Sequence, residues 1–109
     1  MKGLAMTRAA SALIRSLLAR VDDERDRILL INISSVDWQS LTFTGERHVL
    51  SLRISGPDGK MIAEQLVADL ADAEFALPDH IVADIAARSI KDEENGSVLV
   101  TIEALTICV

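Results

Sequence analysis

SIKDEENGSVLV, residues 89–100, decides how the second half of this 109-residue chain folds. Its Asn95-Gly96 dipeptide lies between two apolar runs and is typical of a tight turn that joins two antiparallel β-strands. Counting outward from a two-residue turn sets Arg88 opposite Glu103, and an opposite-charge pair across two strands favours this register. The sequence therefore predicts a β-hairpin over residues 80–109.

A first hairpin is predicted over residues 28–54, with its turn at Thr44-Gly45. A two-residue loop at this position pairs Leu41 with His48. One face of the hairpin then carries five large apolar residues that are predicted to lie in the core, namely Leu41, Phe43, Leu50, Leu52 and Ile54. A loop longer by one residue would reverse the faces of the second strand, so the sequence leaves this register open.

Two amphipathic helices complete the predicted secondary structure. Residues 1–21 place six apolar side chains on one helical face: Met6, Ala10, Leu13, Ile14, Leu17 and Val21. The second helix is predicted over residues 57–74, because Pro57 suits a first helical turn and apolar residues then recur at helical spacing. The charged residues 22–27 connect the first helix to the first strand.

The first helix is basic, which allows three interpretations of it. Residues 1–21 contain four basic residues and no acid, whereas the remaining 88 residues hold 7 basic and 17 acidic residues. Such a helix is typical of a targeting peptide, of a helix on an anionic membrane, or of a structural helix that covers a sheet. We favour the structural interpretation.

The order α-β-β-α-β-β predicts an α+β fold in one domain over residues 1–109. A chain of this length supports one hydrophobic core. The two-layer arrangement that buries these elements is a mostly antiparallel four-stranded sheet with both helices on one face. The strand order would be 3-4-2-1, as in a ferredoxin-like topology whose first strand has moved to the C-terminus.

Composition argues against several classes of function. The net charge of −6 opposes binding to a phosphate backbone, and the three aromatic residues offer little surface for stacking bases, so we expect no nucleic-acid partner. No apolar run approaches the ~20 residues of a membrane span. Cys108 is the only cysteine, which excludes an intramolecular disulfide and indicates a reducing, cytoplasmic compartment.

Few residues are candidates for catalysis or for binding a metal or cofactor. His48 and His80 are the only histidines, and neither belongs to a spacing such as HxxxH or HExxH, so we expect no metal and no cofactor. Cys108 has no evident histidine partner and is predicted to be an idle thiol. The chain is therefore expected not to be an enzyme, and His48 is the weak catalytic candidate because a neutral imidazole accepts a proton near pH 7.

The predicted back face of the sheet suggests an interface. Five apolar residues of the second hairpin are expected to point away from the helices: Val82, Ile90, Leu99, Leu105 and Ile107. In the first hairpin, Trp38 and Arg53 share that outer face, where the guanidinium is placed to stack on the indole. Exposed apolar sheet faces are usually partner surfaces.

We therefore expect a homo-oligomeric assembly or protein-interaction module, most simply a homodimer. The alternative is a regulatory domain that binds a small apolar ligand. That alternative requires a pocket of at least ~300 Å³ lined mostly by Leu, Ile and Val.

Overall fold

The computed structural model describes residues 6–109. These residues form two α-helices, four β-strands and two short 3₁₀ turns, the turns lying at Asp22–Arg27 and Leu70–Asp72. In chain order, the helices and strands are α1 (Arg8–Ala19), β1 (Ile28–Gln39), β2 (Thr44–Ile54), α2 (Gly59–Val67), β3 (His80–Asp92) and β4 (Val98–Cys108). The predicted order α-β-β-α-β-β is confirmed. The start of the predicted first helix, residues 1–5, lies outside the described residues.

The four strands form one antiparallel sheet in the order β1-β2-β4-β3. This is the predicted order 3-4-2-1, read from the opposite edge of the sheet. Strands β2 and β4 are central, and β1 and β3 are the edges. Both hairpins stay intact because each pair of strands joined by a hairpin loop is also adjacent in the sheet.

The core lies between one face of the sheet, here called the inner face, and the two helices. Helix α1 begins where the Thr7 hydroxyl accepts a hydrogen bond from the Ala10 N–H at 3.1 Å. Buried residues at helical spacing then meet alternate residues of β2 and β4 in a single cluster that includes Leu13, Leu17, Leu50, Leu52, Ile62, Leu66, Val100 and Ile102. None of the helices in residues 6–109 is both long and apolar enough to cross a membrane.

The first hairpin has a longer loop than predicted. Gln39 pairs with Thr44, which leaves residues 40–43 as the loop, and Ser35, rather than Leu41, lies opposite His48. The Ser40 hydroxyl accepts hydrogen bonds from the N–H groups of residues 42 and 43, which closes the loop locally. The prediction that Leu41 and Phe43 are core residues is wrong, since both are exposed.

The second hairpin departs from the predicted register because it contains irregularities that the alternation of residues does not reveal. Its loop has three residues, since Glu93 and Ser97 are joined by a backbone hydrogen bond of 2.8 Å. Strand β3 then shifts register between Val82 and Asp84 and again between Ala87 and Ser89. Each extra residue reverses the faces of all the strand residues beyond it.

The three-residue loop turns Ile90 inward, and the loop and the two shifts together turn Val82 inward. Val82 and Ile90 pack against the core cluster, so the prediction that they point away from the helices is wrong. Arg88 pairs with no residue of β4, yet its Nη1 reaches Glu103 Oε2 at 2.8 Å, so the predicted ion pair forms.

Candidate functional site

A buried polar cluster surrounds His48 on the inner face of the sheet. His48 is fully buried; its Nδ1 lies 2.7 Å from Ser35 Oγ and its Nε2 2.8 Å from Thr106 Oγ1. Glu46 Oε1 lies 3.8 Å from the same Nε2 and accepts a hydrogen bond of 2.6 Å from the Thr7 hydroxyl. The cluster therefore joins β1, β2 and β4 to the start of α1.

The environment keeps the His48 ring neutral. Burial lowers the pKa of His48 below its ordinary value of 6.5, and the attraction of Glu46 offsets this only in part. Two hydroxyl groups occupy the two ring nitrogens, so His48 is held as a structural residue and presents no free nitrogen to a substrate. Its suggested role as a general base gains no support from this geometry.

A cleft of about 470 Å³ lies beside this cluster, at the end of the sheet where β1 joins β2. Its volume meets the predicted minimum of ~300 Å³ for a small-ligand pocket, but its lining differs from the predicted Leu, Ile and Val. The lining residues are Asp37, Trp38, Gln39, Thr44, Gly45, Glu46, His80 and Cys108. This cleft is polar, and it does not supply the apolar pocket required by the alternative interpretation.

Cys108 has a histidine partner in this cleft, contrary to the sequence-based expectation. Its Sγ lies 3.6 Å from His80 Nε2, and His80 Nδ1 lies 2.9 Å from the carbonyl oxygen of Pro78. Because a carbonyl only accepts, Nδ1 carries the proton of the neutral ring, and Nε2 is left to accept from the thiol. A thiol, an imidazole and a carbonyl that orients it are the groups of a nucleophile–base pair.

No sequence signal pointed to this pair. The predicted register placed the partner of His80 beyond the end of the chain, and the three-residue loop together with the two register shifts of β3 brings it to Cys108 instead. Within residues 6–109, no group of three or more His, Cys, Asp and Glu side chains has a geometry that could hold a metal ion.

The face of the sheet opposite the helices, here called the outer face, carries an apolar patch at the same end. Across the sheet, Trp38 pairs with Gly45, Gly45 with Ile107, and Ile107 with Ile81. In the neighbouring row, Arg47 lies between Val36 and Leu105, and Asp84 lies beside Leu105. We call Val36, Trp38, Ile81, Leu105 and Ile107 the outer apolar patch.

The patch has a buried floor and an exposed rim. Leu105 and Ile107 are only 9% and 8% exposed, although they lie outside the core cluster. Val36 and Ile81 flank them with 61% and 49% of their surface exposed. The exposed Phe43 lies next to β2 at the same end of the sheet. Three of the predicted interface residues therefore lie together, namely Trp38, Leu105 and Ile107. That they bind a partner stays a prediction.

Most of the remaining outer face is polar, with Leu29, Val49 and Leu99 as the larger apolar exceptions. The predicted stacking of Arg53 on Trp38 does not occur. Arg53 pairs with Leu99 at the far end of β2, about 27 Å along the strand from the residue opposite Trp38. Arg53 instead donates two hydrogen bonds to the Glu93 carboxylate, at 2.7 and 3.0 Å. This contact raises the pKa of Arg53 and lowers the pKa of Glu93.

Comparisons with known proteins identify a similar fold. No family model matches the chain, and no curated protein does. A solved structure described as "Virion of native gene transfer agent (GTA) particle" contains a chain that superimposes with a TM-score of 0.58 at 14% sequence identity. The match covers 91% of this chain and 97% of that chain. At this identity, the comparison shows a shared fold.

Proposed function

We propose that this protein is a non-enzymatic structural module that assembles with copies of itself, most simply as a homodimer. The observation that carries the proposal is the outer apolar patch, which lies on the sheet face that neither helix covers. Contiguous exposed apolar surface on a water-soluble fold marks a contact surface, because burying it against a partner removes it from water.

Charge supports the same assignment. The chain has a net charge of −6, so two copies repel each other unless an uncharged surface brings them together. The patch offers such a surface, with two well-packed side chains at its centre and a large aromatic ring beside them, which is typical of interface anchors. The shared fold with a chain of a gene transfer agent virion, itself a multi-subunit particle, is compatible with a role in assembly.

Sedimentation velocity over protein concentrations from about 1 to 100 µM tests the proposal. We expect the wild type to associate, and Ile81→Glu to weaken association by about tenfold or more, because it places a charge in the patch. The matched control is Met61→Glu on α2. Met61 is 60% exposed, against 49% for Ile81, and its substitution changes the net charge equally. A wild type that stays monomeric throughout, or equal behaviour of the two variants, would contradict the proposal.

A second candidate function is the binding of a small polar molecule in the cleft beside Cys108 and His80. The volume of about 470 Å³ and the convergence of carboxylate, thiol and imidazole groups favour it. Trp38 is the only tryptophan and lines the cleft, so its fluorescence reports on occupancy. We expect a saturable change with a compound that binds there; a compound library that produces none would exclude this candidate.

A further inference from the structure

The two edges of the sheet differ in how well they are protected. An edge strand exposes unpaired N–H and C=O groups, and proteins usually block it with charges, bulges or covering segments. Edge strand β3 has two register shifts and carries Asp84, Arg88 and Lys91, and the 3₁₀ turn Leu70–Asp72 packs against it. These features oppose the addition of a further strand to β3.

Edge strand β1 has almost none of this protection. Residues 28–36, ILLINISSV, contain no charged side chain and no proline, and their register is interrupted once, between Leu30 and Asn32. Among residues 6–109, β2 is the only strand that pairs with β1, and no residue of β1 is fully buried. The free edge of β1 can therefore accept another uncharged strand.

The side chains of β1 favour a second copy of the same strand. Leu29 and Val36 are 59% and 61% exposed, and both lie on the outer face, since they pair with Arg53 and Arg47 of β2. An antiparallel pairing of two β1 strands, centred on Ile33 and leaving Ile31 of each strand as a bulge, sets Leu29 of each copy opposite Val36 of the other. Two-fold symmetry thus gives Leu29 and Val36 of each copy an apolar cross-strand neighbour in the other copy.

We propose that two copies of this chain join through the free edges of β1, in antiparallel orientation, so that their sheets continue into one. This inference rests on the proposed self-assembly and names the joint. The joint adjoins the outer apolar patch, because Val36 belongs to both. The joint ends at two copies, since both use the same segment of chain. Trp38 and Ile81 of the outer apolar patch remain available for further contacts.

A charge exchange at Leu29 and Val36 tests the joint. In Leu29→Glu/Val36→Glu (L29E/V36E), the proposed dimer has two like-charged cross-strand pairs, so we expect its dissociation constant to rise about tenfold or more. In Leu29→Lys/Val36→Glu (L29K/V36E), both pairs are opposite in charge, and we expect the dissociation constant to return to within about threefold of wild type. Both residues are exposed, so circular dichroism should show an unchanged fold.

Two comparisons remove the main confounding effects. Met61→Glu/Gln65→Glu (M61E/Q65E), on the exposed surface of α2, has the same net charge as L29E/V36E and should associate like the wild type. L29K/V36E retains the Val36→Glu substitution in the outer apolar patch. Position 29 lies outside that patch, so a lysine there can restore association only through the β1 joint.

The results separate this inference from the proposed function. If the wild type associates and L29E/V36E associates as tightly as M61E/Q65E, the β1 joint is wrong and self-assembly stands. If L29K/V36E associates no better than L29E/V36E, the two-fold pairing of β1 is wrong. A wild type that is monomeric at every concentration overturns both.

Discussion

Replacing His48 with glutamine should remove a pH dependence of folding that the buried imidazole causes. His48 is fully buried, and burial lowers its pKa in the folded state below the ordinary value of 6.5. The unfolded chain therefore binds a proton more readily than the folded protein as the pH falls below about 6.5. The contribution of His48 to stability is complete above that pH and is lost progressively below it.

The size of this pH dependence is limited by the single proton that His48 binds. Because a single group is involved, the free energy of unfolding of the wild type should fall by at most about 1.4 kcal/mol for each pH unit below 6.5, until the folded-state pKa is reached. His48→Gln loses stability at every pH, since an amide replaces the ring between Ser35 and Thr106, but this component of the slope should vanish. Urea unfolding followed by circular dichroism between about pH 5.5 and pH 7.5 measures both slopes.

The matched control is Leu50→Ala, which also removes a fully buried side chain of β2 but keeps His48 in place. We expect its slope to equal that of the wild type. An unchanged slope in His48→Gln, or its loss in Leu50→Ala, would refute the assignment of the pH dependence to the buried ring.

Three further predictions concern single residues. Leu41→Ser should change the free energy of unfolding by less than about 0.5 kcal/mol, because this predicted core residue is exposed, whereas Leu50→Ala should cost about 2–5 kcal/mol in the same urea titration. Gly45→Ala should cost about 1–3 kcal/mol by thermal unfolding, since a Cβ there would clash with the backbone oxygen of Thr106 in β4; a stability equal to wild type would contradict this close approach of β2 and β4. Cys108 is exposed, so a maleimide should label the native protein completely, as intact-mass spectrometry would show; labelling only after denaturation would contradict this.

The sequence predicted the elements whose pattern is local. In β2, Leu50, Leu52 and Ile54 alternate with polar residues, and the structure buries all three. In α1, Leu13 and Leu17 recur one helical turn apart and face the core. A period of two or of 3.6 residues is a property of a short stretch of chain, so it can be read without knowing the partner.

The candidate site was less predictable because it depends on register. The hydrogen-bond partners of His48, Ser35 and Thr106, lie on two other strands. The error in the first hairpin displaced the pairing by an even number of residues, so the faces of β2 were still correct and only the neighbours of His48 were wrong.

By itself, the sequence determined the element order, the strand order of the sheet and the faces of its central strands, because hydrophobic periodicity and hairpin turns specify these features within a few residues. Only the tertiary structure decided the loop lengths and the two register shifts of β3, and with them the inward turn of Val82 and Ile90 and the meeting of His80 with Cys108. The physical reason is that one extra residue in a strand reverses every side chain beyond it, and whether that residue is accommodated depends on packing against strands distant in sequence.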